Sequence, residues 1–492
     1  MIILEQNKLE ENVLLNIETI MQKISDDSYA YTLGHSLLDK PKSEVYGFIA
    51  GLVKRMNICQ TLGITISNFL DFLIDVERGY LNNPYHSFYH AVDMVLVLYH
   101  FFECYDMSEY LTRIDVAMII VAALCHDVGH TGKNNQFEVS CKSKLAEEFN
   151  NLSVLESNSC KLALELLDKH DLTRNIEAKS KHYGSPLTRH EFKQSIIKMI
   201  LATDMTHHFD LLHNISVLHS VVSKNALQNK MKPLFSKQED AFFYFEKNHF
   251  HSKETETITV KSVVEEDMET ITVESAVEDE DTDHPHGLSS LGKSSSKLTQ
   301  EERLMLCNII IHAADVSSPC RPWELFHKLA RLLYIEFSEQ AETEQKLGLP
   351  QHMSPLQDNL QTTNMRFIDF VYPYFENLSV LFPKSLELLD ICSKNREEWS
   401  KLSSEPTDLE SKVSIKVSME DLPAHIPFAE SGIHTSESTE KDAERKSSSP
   451  AVSSWRISSS THKRKGEELS SAHIKIMRSN SDSPSRYVDF FI

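Results

Sequence analysis

Residues 116–130 read VAMIIVAALCHDVGH. Ten apolar residues, 116–125, stand between Asp115 and His126. A membrane-spanning helix needs about 20, so the run reads as a helix buried in a protein core. Such a helix is a rigid mount, and it delivers a His-Asp pair at its end. Working outward, segments such as ILEQNKLEENVLLNIETIMQKI carry apolar residues at helical spacing. Only 13 Gly and 16 Pro in 492 residues argue against a β-sandwich or a Gly-rich nucleotide-binding fold. The expected fold class is all-α.

The formal net charge is −22. That argues against a nucleic-acid partner, because phosphate neutralisation needs clustered Lys and Arg. No basic region or small-residue cleavage site marks the N-terminus as an export signal, and no stretch is long enough for a membrane span. The eight Cys form no CxxC pair and read as reduced thiols. The expected location is the cytoplasm, with the nucleus as a second compartment.

Three parts are expected: an N-terminal helical extension over 1–44, a catalytic domain over 45–402, and a Ser-rich tail over 403–492 that reads as disordered. The domain is interrupted at about 249–298. Residues 254–283 hold 12 Asp/Glu against Lys261 alone. Inside lies a short repeat, ETITVKSVVE and ETITVESAVE. Charge density favours a disordered acidic insertion over a small hairpin. Helical reading resumes at Thr299-x-x-Glu302, a capping-box spacing. The tail carries His462-Lys-Arg-Lys465 and a Ser-rich run to Pro484. It is either solvated chain or a contact for a kinase, an import receptor or another regulatory partner. The N-terminal stretch is expected to pack on the core or to pair with a second copy.

Four His/Asp groups carry the chemistry. They are Tyr85-His86-x3-His90-Ala-x-Asp93, His126-Asp127-x2-His130, Thr203-Asp204-Met205-x2-His208-Phe209 and His312-Ala-Ala-Asp315. His86 and His90 share a helix face. Singly, each group is more often core or surface than ligand. Together they have no purely structural need, since buried carboxylates demand compensation. Imidazole and carboxylate without thiolate suit Zn²⁺ or a harder divalent ion. Such a set can hold two ions about 4 Å apart, whose shared hydroxide attacks phosphorus. A further His must then protonate the leaving oxygen. The residues thus read as a binuclear metal phosphohydrolase.

With the GLP…SP stretch before Arg366-Phe367-Ile-Asp-Phe370, these motifs occur in the order found in class I cyclic-nucleotide phosphodiesterases, which the chain resembles over roughly 45–400. The sequence around them looks most like the fungal-type high-affinity cAMP branch. The resemblance implies that a cyclic nucleotide, cAMP in the first instance, is hydrolysed to the 5'-monophosphate. The alternatives are a cGMP or dual-specificity enzyme, or a catalytically impaired binding homologue. It implies His86 as general acid and His90, His126, Asp127 and Asp315 as ligands of Zn²⁺. Asp127 would bridge to Mg²⁺ or Mn²⁺, with His130, Glu156, Thr203 and Asp204 around that ion. Phe367 and Leu333 would clamp the purine, and Tyr85 would line the pocket. Asn364 stands where the family has a purine-reading Gln. Ser87, Ser318 and Arg366 also depart from the pattern.

Overall fold

A computed structural model describes residues 2–26, 29–235, 298–351 and 359–402. The acidic insertion, the tail and the Ser354-Pro355 motif lie outside the described residues. Among the described residues the elements are α-helices and short 3₁₀ turns, with no strand.

The helix Arg113–Cys125 runs through the centre, and all its residues except Arg113 are buried. Thr112 starts it with a capping box: its Oγ1 accepts the Asp115 N–H and its N–H donates to Asp115 Oδ2. The same Asp115 oxygen accepts Arg303 Nε at 2.8 Å. The N-cap is thereby tied to Gln300–Asp315, the helix that ends on the fourth motif. That helix starts as expected, with Thr299 and Glu302 exchanging both capping bonds. Phe88–Cys104, which is buried along most of its length, also packs on the central helix. The three helices that end or begin at His126, Asp315 and His90 therefore share one core.

The N-terminal residues pack on this core. Glu11–Ser25 lies across Lys42–Arg55 at Gly47 and Gly51. A Cβ on Gly51 would sit 2.5 Å from Ile24 Cβ, so the close crossing requires glycine there. Ahead of it, the Asp71 carboxylate accepts the backbone N–H groups of Glu5 and Asn7. Buried Arg321 binds the carbonyls of Leu33 and His35 and the carboxylate of Asp93. All eight cysteines are free thiols. Among the described residues no helix is long and apolar enough to cross a membrane.

Candidate active site

The central helix stops at His126, and the chain turns sharply through Gly129, whose φ is +80°. Gly129 N–H donates to Gly79 O at 3.0 Å, and Tyr80 Oη both donates to Leu124 O and accepts from Asp127 N–H. These contacts hold His126 and Asp127 at the mouth of the core. His126 Nδ1 lies 2.9 Å from Ala123 O, so a proton sits there and Nε2 is the atom turned to Asp127 and Asp315. Burial opposes a charged ring, but these carboxylates hold it well above the usual imidazole range.

Four ligand-type atoms converge at this point. His126 Nε2 is 3.0 Å from Asp127 Oδ2 and 3.5 Å from Asp315 Oδ1. His90 Nε2 is 3.0 Å from Asp315 Oδ1 and 3.8 Å from Asp127 Oδ2. Buried His126 Nε2 and Asp127 Oδ2 have no aligned hydrogen-bond partner. Burial opposes ionisation of the two carboxyls, yet the surrounding imidazoles hold both well below the usual carboxylate range. Two carboxylates and a ring nitrogen without an aligned partner, set this close together at the edge of the cavity, are costly unless a cation, a proton on the rings or a metal ion, takes them up. His90, His126 and Asp127 bring ligand atoms close enough for one ion, and Asp315 Oδ1 lies within 3.5 Å of both imidazoles; nitrogen and carboxylate donors of this kind fit a divalent ion of the Zn²⁺ type or harder.

Beside this set stands a second cluster, in which His86 and His130 were expected from the sequence and Glu336 was not. Glu336 Oε1 is 2.5 Å from His86 Nδ1, and its Oε2 accepts the N–H groups of Tyr85 and His86. Burial works against a charged His86, but Glu336, joined by Asp127 and Asp315, overcomes it and raises the ring to about 9. His130 stacks on His86 with ring centroids 4.1 Å apart. Burial and the neighbouring His86 push His130 down to about 4. One ring of the stack is thus an imidazolium at neutral pH, and the other is neutral. Glu336 has a legible spacing with Gln340 and Glu344 along one helix face. The same spacing describes a solvated surface, and only packing shows that all three are buried.

On the other side, Glu156 accepts from Asn135 Nδ2 at 2.9 Å. Burial and nearby Asp204 raise it to about 8. Asp204 accepts from Ser153 Oγ at 2.6 Å and caps the following turn through Thr206 N–H. The Thr203 hydroxyl is spent on Ile200 O.

A cavity of about 150 Å³ joins these groups. Tyr85, His86, Asp127, His130, Glu156, Thr203, Asp204, Asp315, Leu333 and Phe367 line it, together with Glu336. His90 and His126 belong to the four-ligand set beside Asp127 and Asp315 and are not among the lining residues. Asn364 is also not among them. It is buried, and its amide N–H₂ donates to Leu360 O one turn back in its own helix. Gln361 is also engaged, with Trp399 O at 2.6 Å.

Comparisons with known proteins place the chain in a family. The family model described as 3'5'-cyclic nucleotide phosphodiesterase matches residues 85–392. The chain is 26% identical over 364 residues to 3',5'-cyclic-nucleotide phosphodiesterase regA of Dictyostelium discoideum, a match covering 73% of this chain and 36% of that protein. It is 26% identical over 355 residues to the human high affinity cAMP-specific and IBMX-insensitive 3',5'-cyclic phosphodiesterase 8A, covering 71% and 35%. The chain thus spans about a third of the length of these curated relatives. In structure it is similar to the phosphodiesterase domain of the RhoPDE fusion protein from the choanoflagellate Salpingoeca rosetta. That match has a TM-score of 0.55 at 23% identity, covering 77% of this chain and 97% of the other. With the family model spanning more than half of its length and containing both histidine clusters, the chain belongs to the 3',5'-cyclic nucleotide phosphodiesterase family.

Proposed function

We propose that this chain hydrolyses the 3',5'-cyclic phosphodiester of a cyclic nucleotide, cAMP in the first instance, to the 5'-monophosphate. One observation carries the reading: an imidazolium held by Glu336 opens onto the same cavity as a buried four-ligand set whose His126 Nε2 and Asp127 Oδ2 lack aligned partners. His90, His126, Asp127 and Asp315 would hold a tightly bound ion, proposed as Zn²⁺, and Asp127 would share a second, proposed as Mg²⁺ or Mn²⁺. Bound there, divalent ions supply Lewis acidity at the phosphate oxygens and acidify a water molecule.

The chain's own residues supply the rest. As a water oxygen bonds to phosphorus and the P–O3' bond breaks, His86 gives its proton to the 3' oxygen, so that no free alkoxide has to leave. Glu336 keeps Nδ1 of that ring occupied and sustains the positive charge until transfer. Phe367 and Leu333 offer an aromatic and an aliphatic wall to the purine, a grip that works through area and the π face. Glu156, raised to about 8, carries a proton at neutral pH, while Asp204 stays occupied by Ser153 and the turn it caps.

A second reading, dual specificity for cAMP and cGMP, has its own support. The amide of Asn364 is bonded to Leu360 and not turned to the cavity. Placement in the fungal-type high-affinity branch is part of the proposal and rests on the divergent sequence around the motifs. The proposal also includes a three-part organisation at 1–44, 45–402 and 403–492, a cytoplasmic or nuclear setting, a homodimer through the N-terminal amphipathic stretch and a regulatory partner at the tail, which rest on composition and charge along the chain. The test is kinetics on cAMP and cGMP with the full chain and Mg²⁺. Hydrolysis of neither by metal-loaded protein would sink the reading, and equal kcat/KM would select dual specificity.

A further inference from the structure

The cavity walls carry five carboxyl groups: Asp127, Glu156, Asp204, Asp315 and Glu336. Among the described residues that line it stands a single lysine or arginine, Lys133. It is half-buried, and no described residue gives it an ion pair or a hydrogen bond. A lysine on a protein surface with abundant acid normally finds a partner or faces open water. This one faces a cavity whose other cationic side chain, the His86 imidazolium, is already held by Glu336.

The backbone that presents Lys133 is pinned on both sides. Before it, Gly132 has φ +71° and donates its N–H to His130 Nδ1 at 3.1 Å. A Cβ there would meet Asn83 Oδ1 at 2.8 Å, so the turn is closed to other residues. Asn83 in turn donates to the carbonyls of His86 and His130. After it, Asn134 and Gln340 exchange two hydrogen bonds, Asn134 N–H to Gln340 Oε1 and Gln340 Nε2 to Asn134 Oδ1, each 2.9 Å. The stem of Lys133 therefore leaves a loop anchored to the residues that hold His86 and His130. A flexible ammonium on a fixed base suits a phosphate that arrives, turns over and leaves.

Resting on the phosphodiesterase reading, we infer that Lys133 is the anion-docking residue of this cavity. It contacts the phosphate of the cyclic nucleotide on entry and of the 5'-monophosphate on release. It is a binding and steering residue and takes no part in proton transfer.

The test uses the full chain with Mg²⁺ and compares Lys133→Met, Lys133→Gln and Lys133→Arg. Melting temperatures are expected to match wild type, because the stem is half-exposed. If Met perturbs folding, Gln serves in its place. In Lys133→Met, KM for cAMP rises about tenfold, the lower end of what electrostatic focusing contributes. kcat changes by less than about threefold, and kcat/KM loses part of its dependence on ionic strength. Titration of 5'-AMP into the protein shows a larger loss of affinity, since that product is a dianion. Lys133→Arg stays near wild type in all three readouts. The inference is overturned if Lys133→Met matches wild type in KM, salt dependence and 5'-AMP affinity. Should wild type hydrolyse no cyclic nucleotide, the functional reading falls, and the 5'-AMP titration still decides the role of Lys133.

Discussion

His86 and His130 stack beside the cavity, whereas His208 and His312 form a second pair sealed in the core. The two pairs come from similar motifs, and each brings its rings into contact. His208 Nδ1 lies 3.0 Å from His312 Nε2, and His312 Nδ1 lies 3.1 Å from Ala202 O. Read as a chain of donors, Nδ1–H of His312 goes to the carbonyl and Nδ1–H of His208 goes to His312. Both rings are then neutral. His208 stacks on Phe370 at 4.2 Å. Burial, aided by His312, lowers His208 to about 3. Burial also lowers His312 to about 4, against the pull of Asp315. In the cavity pair, Glu336 reverses that outcome for His86. In these two pairs the partner decides the use: the carboxylate on His86 makes an acid, and the carbonyl and aromatic rings around His312 and His208 make packing.

The comparison breaks most violently at the cation ligands. Asp127→Ala is expected to lose more activity than the ~10–100-fold that removing a supporting partner costs, together with bound metal and melting temperature. Metal analysis and a thermal melt check it; a fully active Asp127→Ala protein would overturn the ligand assignment.

Next comes His86. His86→Ala should lower kcat by about 10²–10⁴ while metal content stays near normal. An analogue with a good leaving group, which needs no protonation, should be slowed far less. Equal slowing of both substrates would remove His86 from the role of acid.

Glu336→Gln sharpens the contrast. A general acid works only while protonated, so activity falls as pH rises through its pKa. Glu336 raises that pKa, and its neutral replacement should lower it by about 1–3 units. The basic limb of the kcat/KM profile is therefore expected to move to lower pH, with a smaller loss of kcat than in His86→Ala. An unmoved limb would mean that another group sets it.

The smallest effect on activity belongs to the sealed pair. His208→Phe leaves His312 Nε2 without its donor, a cost of about 1–3 kcal/mol in stability. kcat should stay within about threefold. A folded His208→Phe protein without activity would show that the second pair also serves the chemistry.

Much of the site can be read along the chain. The four His/Asp groups announce themselves by spacing, two of them closing apolar helices, because local periodicity is a property of neighbouring residues; picking His90, His126, Asp127 and Asp315 out of them as the ligand set took the family resemblance. Leu333 and Phe367 have no such signal; they stand out through family resemblance alone. Glu336 was not legible. It is 250 residues from His86 in sequence, and a glutamate four residues before a glutamine on a helix looks the same whether wet or dry. Asn364 shows the opposite failure. Its identity and position are plain, but its amide has a competing acceptor in its own helix, Leu360 O, and a side-chain rotamer is not written in the order of residues.

Residue order alone was enough for an all-helical chain, a buried central helix and the set of groups able to bind cations, because these depend on spacing within a few turns. Which histidine is charged, which is merely packed, and where the cavity-lining lysine sits were settled by the fold. Charge depends on desolvation and on partners within about 4–6 Å, and those partners arrive from the far end of the chain.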